Sequence, residues 1–177
     1  MFDESIETAK DLISHTDDMA HDINHIRCVA ENAKLIGGLE LYPDIKLLEL
    51  CGWWHDVARG QGVGHEEVGA TLARDDLLER GADKGIADTV YGAIRLHKTS
   101  MIPNTLDGNI IRDADKLDFI SVDRWKACLK ANQLKHLHEI KALLPDLRNK
   151  ILRLDTSRHI YDQRITEFTN SEISSQI

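Results

Sequence analysis

The sequence has little of what builds β-sheets or disulfide frameworks. Only three prolines occur in 177 residues, and no run of five or more residues alternates β-branched with polar side chains. Apolar residues recur at helical spacing instead. The three cysteines, Cys28, Cys51 and Cys128, are odd in number and lack a CxxC spacing. This pattern favours free thiols in a reducing compartment over disulfide bonds.

Several functional classes are also disfavoured. No apolar run approaches the roughly 20 residues that span a bilayer, and the acidic N-terminal segment 1–5 lacks the apolar core of a secretory signal. The net charge of −8 disfavours binding to nucleic acid or to an anionic membrane. The glycines at 60, 62 and 64 follow a helix too late and span too few residues for a phosphate-binding P-loop. We therefore expect a cytoplasmic protein that acts on a small molecule, with its state as monomer or homo-oligomer left open.

The remaining composition predicts an all-α protein. Hydrophobic residues make up 42% and charged residues 29% of the chain, as in ordinary globular domains, and the length suits one domain over 1–177. The spacing predicts helices at about 3–14, 18–37, 43–58, 65–80, 83–98, 106–120, 121–132, 134–153 and 156–173. Gly37 and Gly38 are expected to end the second helix, and Pro43 to lie in the first turn of the third.

The C-terminal third is basic although the whole chain is acidic. Residues 124–164 contain ten Lys/Arg and four Asp/Glu. Solvated helix faces explain such a segment most simply. The alternative is a positive flank beside an anionic substrate or an acidic partner.

The pair His55-Asp56 is the strongest candidate for chemistry. It follows an apolar stripe of the third helix, formed by Leu47, Leu50, Cys51 and Trp54, and it precedes the glycine-rich turn. Burial of that stripe carries the pair into the interior, where an imidazole and a carboxylate need a partner. A divalent cation suits both groups.

Other candidate ligands lie on both sides of this pair. His21 and His25 are four residues apart and share a helix face. Downstream are His65, His97 and Asp115, the last among apolar neighbours. A structural ion pair of Asp115 with Arg112 or Lys116 is the alternative to a metal, and each histidine alone is more often structural. Together with His55-Asp56, the set favours metal binding.

Three features together resemble the HD superfamily of metal-dependent phosphohydrolases. They are the spaced histidines before Val29, the helix-terminal His-Asp pair, and the sequence Asp-Ala-Asp-Lys-Leu-Asp within the segment Ile110 to Asp118. The likeness is to the small bacterial branch, in which nucleotide pyrophosphatases occur. It covers about residues 18–122, with a helical extension over 123–177. The resemblance implies an all-helical HD-domain bundle.

The resemblance also implies a ligand set. It makes His25, His55, Asp56 and Asp115 ligands of a first metal ion, with His21 and Lys116 supporting the ligands. His65 and His97 resemble family members that hold two metals bridged by the HD aspartate. The alternative is that these two histidines line the pocket and bind substrate phosphate. Cys28 stands where the family usually has arginine, so no role is carried over to Arg27.

A mixed set of imidazoles and carboxylates suits one or two ions of Mn, Fe, Co, Ni or Zn. Such an ion activates water for attack on phosphorus, with Asp56 orienting that water. Arg59 and Lys98 could bind phosphate, although both could equally be surface cations. The sequence thus predicts a phosphohydrolase acting on a nucleotide or related phosphoester. The alternatives are a two-metal phosphodiesterase for cyclic dinucleotides or RNA and a nucleotide-binding sensory module without catalysis.

Overall fold

In the computed structural model, the described residues are 1–15, 23–62 and 64–175, and they form nine α-helices and no β-strand. The all-α prediction is therefore confirmed. The helices are α1 (Phe2–Ser14), α2 (Ile23–Leu39), α3 (Ile45–Trp54), α4 (His65–Glu79), α5 (Lys84–Arg95), α6 (Leu106–Leu117), α7 (Val122–Lys130), α8 (Leu134–Asp146) and α9 (Asp155–Asn170). None of these helices is long and apolar enough to cross a bilayer.

Side-chain caps set where several helices begin. Asp44 accepts a hydrogen bond from the Leu47 amide at 2.9 Å, so α3 begins at Ile45 and Pro43 precedes the cap. Ser121 caps α7 in the same way. Because the carboxylate or hydroxyl satisfies an amide that has no helical partner, such caps fix the first turn. Pro43 therefore lies outside the helix, contrary to the sequence prediction.

The prediction that Gly37 and Gly38 end the second helix is also wrong, because α2 continues to Leu39. A Cβ atom at Gly37 would lie 2.2 Å from the Leu48 Cδ1 atom. The glycine thus allows α2 and α3 to approach closely, and it does so within the helix.

At Gly52 the backbones of α2 and α3 approach each other closely. A Cβ atom there would lie 2.5 Å from the Cα atom of Ala30. Backbone meets backbone at this point, so no side-chain rotation could relieve the contact. The pairing of α2 with α3 brings His25 next to His55 and Asp56, which follow the end of α3.

The buried core joins the C-terminal third to the rest. The apolar stripe of α3 is buried, as predicted, and so are Trp125, Leu147, Ile160 and Phe168 of the C-terminal third. The helix predicted over 134–153 instead ends at Asp146, and a π-helical turn follows over Leu147–Ile151.

Buried polar groups of α6 hold the irregular segment after that turn. Asp113 accepts hydrogen bonds from the Arg153 and Leu154 amides at 2.9 to 3.0 Å. The adjacent Arg112 donates to the carbonyls of Thr99 and Met101 at 3.0 and 3.1 Å. These bonds place the loop after His97 beside α6, which carries Asp115.

Candidate metal centre

The structure brings together all six residues that the sequence suggested as metal ligands. His25, His55, Asp56, His65, His97 and Asp115 are each less than a tenth exposed. They come from five segments: α2, the end of α3, the start of α4, the turn after α5, and α6. His21 lies outside the described residues.

Asp56 lies between two pairs of imidazoles. Its Oδ2 atom is 3.8 Å from His25 Nε2 and 3.6 Å from His55 Nε2. Its Oδ1 atom is 3.2 Å from His65 Nε2 and 3.5 Å from His97 Nε2. One carboxylate therefore contributes to two clusters, His25-His55-Asp56 and Asp56-His65-His97, whose donor atoms all lie within 4.8 Å of one another in each cluster.

The four rings are held in matching orientations. The Nδ1 atoms of His55, His65 and His97 donate to the carbonyls of Gly52, Gly62 and Ile94 at 2.7, 3.0 and 2.6 Å. A carbonyl can only accept, so each neutral ring carries its proton on Nδ1 and presents an Nε2 lone pair. His25 Nδ1 lies 2.7 Å from the Asp118 carboxylate, with the same result. Outer partners of this kind are usual for metal-binding histidines.

Electrostatics keep His55, Asp56 and Asp115 in the protonation states that bind a metal ion. Burial lowers the pKa of His55 to about 3, so its ring is neutral at physiological pH. Burial alone would raise the pKa of Asp56, but the surrounding imidazoles, His55 first, hold it well below its usual range. The pKa of Asp115 is likewise lowered, against the effect of burial, chiefly by Lys116. A neutral imidazole and ionised carboxylates are donors that fit divalent metal ions. The pKa of His25 is instead raised, because its contacts with Asp118 and Asp56 outweigh the effects of burial and of Arg124.

Lys116 contacts Asp115 Oδ2, in the ion pair that the sequence suggested as the alternative to a metal. The other oxygen of Asp115 is 3.7 Å from His25 Nε2. One oxygen thus faces the first cluster while the other is held by the ammonium group. Lys116 can therefore fix the carboxylate without entering the cluster.

A cavity of about 300 Å³ opens beside the clusters. Arg59 and Lys98, the two predicted phosphate contacts, both line it, with Thr99, Ser100, Phe119, Arg124 and His136. Arg59 donates to His65 Nε2 at 2.9 Å, and Lys98 pairs with Glu66 at 2.9 Å. Both cations are therefore anchored at the mouth of the site.

Sequence reasoning did not assign a role to Asp118, Arg124 or His136. Asp118 could have been found, because it closes the Asp-Ala-Asp-Lys-Leu-Asp segment and lies three residues after Asp115, on the same side. The sequence marked Arg124 only as one of the cations in the basic C-terminal third. Nothing in the pattern singles out His136.

Comparison with known proteins identifies the family and the fold. Residues 22–120, more than half of the chain, match the HD domain family. A predicted HD superfamily hydrolase from an uncultured Thermotogales bacterium superposes with a TM-score of 0.72 at 28% identity, over 98% of this chain and 91% of that one. YpgQ of Bacillus subtilis, crystallised with ADP, gives a TM-score of 0.72 at 23% identity, covering 98% and 92%, and so supports the fold.

A relative by sequence is the bifunctional uridylyltransferase/uridylyl-removing enzyme of Vibrio cholerae, 28% identical over 130 residues. The same enzyme of Aliivibrio fischeri is 30% identical over 95 residues. The matched regions are 66% and 46% of this chain but only 14% and 11% of those much longer enzymes. The likenesses support a metal-dependent phosphohydrolase in general terms. By its sequence match and its helical architecture, the chain belongs to the HD-domain family.

Proposed function

We propose that this protein hydrolyses a phosphoanhydride or phosphoester bond of a nucleotide, using two divalent metal ions. The observation that carries the proposal is the position of Asp56, with one carboxylate oxygen facing each pair of imidazole Nε2 atoms. His25, His55, Asp56 and Asp115 would hold one ion, and Asp56, His65 and His97 the other. Bound divalent ions lower the pKa of water towards neutrality and polarise phosphoryl oxygens.

The protein groups have separate tasks in this proposal. The Nδ1 hydrogen bonds fix the orientation of the rings, and at His65 a bound ion would replace Arg59 at the Nε2 lone pair. Lys116 holds Asp115, and Asp56 can accept a hydrogen bond from an attacking water because it stays ionised. The candidate ligands are each less than a tenth exposed, and burial strengthens the charge interactions among them.

The cavity favours a substrate with several negative charges. Four cationic residues line it, Arg59, Lys98, Lys116 and Arg124, together with Thr99 and Ser100 and with three carboxylates that metal ions would offset, Asp56, Glu66 and Asp115. Guanidinium and ammonium groups bind phosphate oxygens, and hydroxyl groups can donate to them. A di- or triphosphate therefore suits this cavity better than a neutral or singly charged molecule. The ADP bound to YpgQ, which has a similar fold, fits a nucleotide as ligand.

A nucleotidyl phosphodiester is the second candidate substrate. The similarity to enzymes described as uridylyl-removing favours this candidate. The cyclic-dinucleotide or RNA phosphodiesterase suggested by the sequence belongs to the same reaction class. Both candidates need attack of water on a phosphorus atom next to a nucleoside. They differ in the leaving group, which is a phosphate or pyrophosphate in one case and an alcohol or phenol in the other.

The test is hydrolysis by metal-stripped protein given back Mn²⁺, Co²⁺, Ni²⁺ or Mg²⁺. The substrates are ribo- and deoxynucleoside di- and triphosphates, a cyclic dinucleotide and a nucleoside p-nitrophenyl phosphodiester. We expect release of phosphate or pyrophosphate from the nucleotides. Cleavage of the phosphodiesters alone would select the second candidate. Binding without turnover across all of them would contradict an enzyme and indicate a sensory module.

Asp56→Asn supplies the control for the site. It removes the charge shared by both clusters, so we expect activity to fall by more than about 100-fold, beyond the effect typical of outer partners. Asp75→Asn is the matched change at an exposed position of α4 and should leave activity unchanged. Full activity of the Asp56→Asn protein would place the reaction elsewhere.

A further inference from the structure

A buried ion pair, formed by Asp118 and Arg124, contacts the ring of His25 at Nδ1. Asp118 Oδ2 accepts from His25 Nδ1 at 2.7 Å and from Arg124 Nη1 at 2.9 Å. The side chains of Asp118 and Arg124 are 1% and 3% exposed. Arg124 belongs to α7, in the C-terminal third, and Ser121 caps that helix at the turn where α6 ends. The basic third of the chain thus reaches a candidate metal ligand.

Arg124 supplies the positive charge that offsets the buried carboxylate of Asp118. The hydrogen bonds from His25 Nδ1 and Arg124 Nη1 reach the same oxygen of this carboxylate. Without the guanidinium, Asp118 would be a buried carboxylate that has lost its cationic partner, which is strongly unfavourable. An ionised Asp118 keeps the proton on Nδ1 and increases the basicity of Nε2.

The guanidinium group of Arg124 is also held in a fixed position. The other end of the guanidinium donates through Nη2 to His136 Nε2 at 2.9 Å, on α8. Contacts at both ends hold the planar group, which can then orient Asp118 and, through it, His25. Of the cations lining the cavity, Arg124 contacts both Asp118 and His25.

We propose that Arg124 is a positioning residue, which acts through Asp118 to set the affinity of the metal site containing His25. The proposal rests on the proposed function, because it presumes that His25 binds a metal ion. It assigns the C-terminal helices α7 and α8 a part in that site. The alternative task for Arg124 is direct contact with substrate, since its side chain also borders the 300 Å³ cavity.

The test measures Mn²⁺ binding to the metal-stripped full-length protein by titration calorimetry, with substrate absent. For Asp118→Ala we expect the affinity of one ion to fall by about 10- to 100-fold. For Arg124→Met we expect a loss on the order of 10-fold at the same ion, within that range. The ion between His65 and His97 should bind as in the unmodified protein.

The double variant decides whether Arg124 acts through Asp118. If it does, Asp118→Ala with Arg124→Met binds Mn²⁺ no more weakly than Asp118→Ala alone, because the second change has nothing left to act on. Additive losses would overturn the proposal. A raised KM of Arg124→Met for nucleotide with unchanged Mn²⁺ affinity would also overturn it, in favour of substrate contact.

Two further variants complete the design. Arg124→Lys keeps the charge but not the planar group, so we expect an intermediate loss, and it decides the matter if Arg124→Met does not fold. Lys126→Gln removes an exposed cation from the same helix and should change nothing. If Arg124→Lys and Arg124→Met both bind Mn²⁺ as the unmodified protein does, the inference alone fails. If the unmodified protein binds no Mn²⁺, the proposed function fails and this inference with it.

Discussion

Each histidine of the candidate centre is oriented by a hydrogen bond from Nδ1. Three of these bonds go to the backbone carbonyl three residues earlier in the chain, at Gly52, Gly62 and Ile94. The orientation of these three rings therefore depends on local backbone geometry. The fourth ring, that of His25, depends on Asp118, which is distant in sequence.

The two-sided position of Asp56 leads to a prediction about stoichiometry. We expect His97→Ala to bind one Mn²⁺ ion where the unmodified protein binds two, because only the cluster with His65 loses a ligand. Metal content of the desalted protein, measured by plasma mass spectrometry, checks this. A single ion in both proteins would favour the alternative in which His65 and His97 bind substrate phosphate.

The cysteines allow a second prediction at this scale. Burial raises the pKa of Cys51 well above its usual value, and burial together with the charge of Asp118 raises that of Cys28. Since the thiolate is the reactive form, native protein at pH 8 should react with Ellman's reagent far more slowly than unfolded protein. Fast reaction of one thiol in the native state, traced by peptide mapping to Cys28, would contradict this expectation.

Among the helices, the contact between α2 and α3 matters most for the site. These two helices meet where Gly52 faces the backbone of Ala30, with no room for a methyl group. His25 lies on one of these helices, and His55 and Asp56 follow the other. The spacing of the first cluster is therefore set by a glycine that takes no part in the chemistry.

We expect Gly52→Ala to lower the free energy of unfolding by about 1–3 kcal/mol, the usual cost of overpacking. Mn²⁺ affinity should fall as well, because the added methyl separates the helices that carry the ligands. Urea unfolding and calorimetric titration measure the two effects. Gly92→Ala is the control, since a Cβ there meets nothing within 4 Å and alanine favours a helix by roughly 0.5–1 kcal/mol. Equal behaviour of the two variants would contradict the close contact.

Helical periodicity predicted the helices apart from several of their ends, and residue spacing together with the family resemblance predicted the six clustered residues. Apolar residues at helical spacing mark α3 clearly, and burial of that stripe explains why His55 and Asp56 lie in the interior. The helix end predicted at Gly37 was wrong, because a glycine at a contact between helices and a glycine at a helix end look alike in sequence. Arg124 could not be predicted, since its role arises from packing of α7 against the turn after α6, a contact between segments that periodicity does not reveal.

At the scale of the whole molecule, the C-terminal third is part of the core. Trp125 packs edge-on against Phe168 with ring centroids 5.0 Å apart, and both are at most 2% exposed. Arg164 of α9 donates to Asn32 of α2 at 2.8 Å. These contacts favour one cooperative domain over 1–177, although the sequence resemblance to the family ends near residue 122.

We therefore expect a chain truncated after Ser121 to lose its cooperative unfolding transition. Loss of the packing of a buried aromatic side chain costs about 3–5 kcal/mol, and domains have only about 5–15 kcal/mol in total. Removing α7–α9 takes away Trp125 and Phe168 together with Leu147 and Ile160. Thermal unfolding followed by circular dichroism measures this. A sharp transition in the truncated protein would show that the N-terminal part folds alone.

The shared carboxylate of Asp56 has a consequence for inheritance. Every aspartate codon becomes an asparagine codon by one nucleotide transition. Such a change at position 56 would remove the charge common to both clusters, while the four imidazoles and the other residues that line the cavity would be unchanged. A gene for this protein is thus one point mutation away from encoding a copy that keeps the imidazoles but lacks the carboxylate between them.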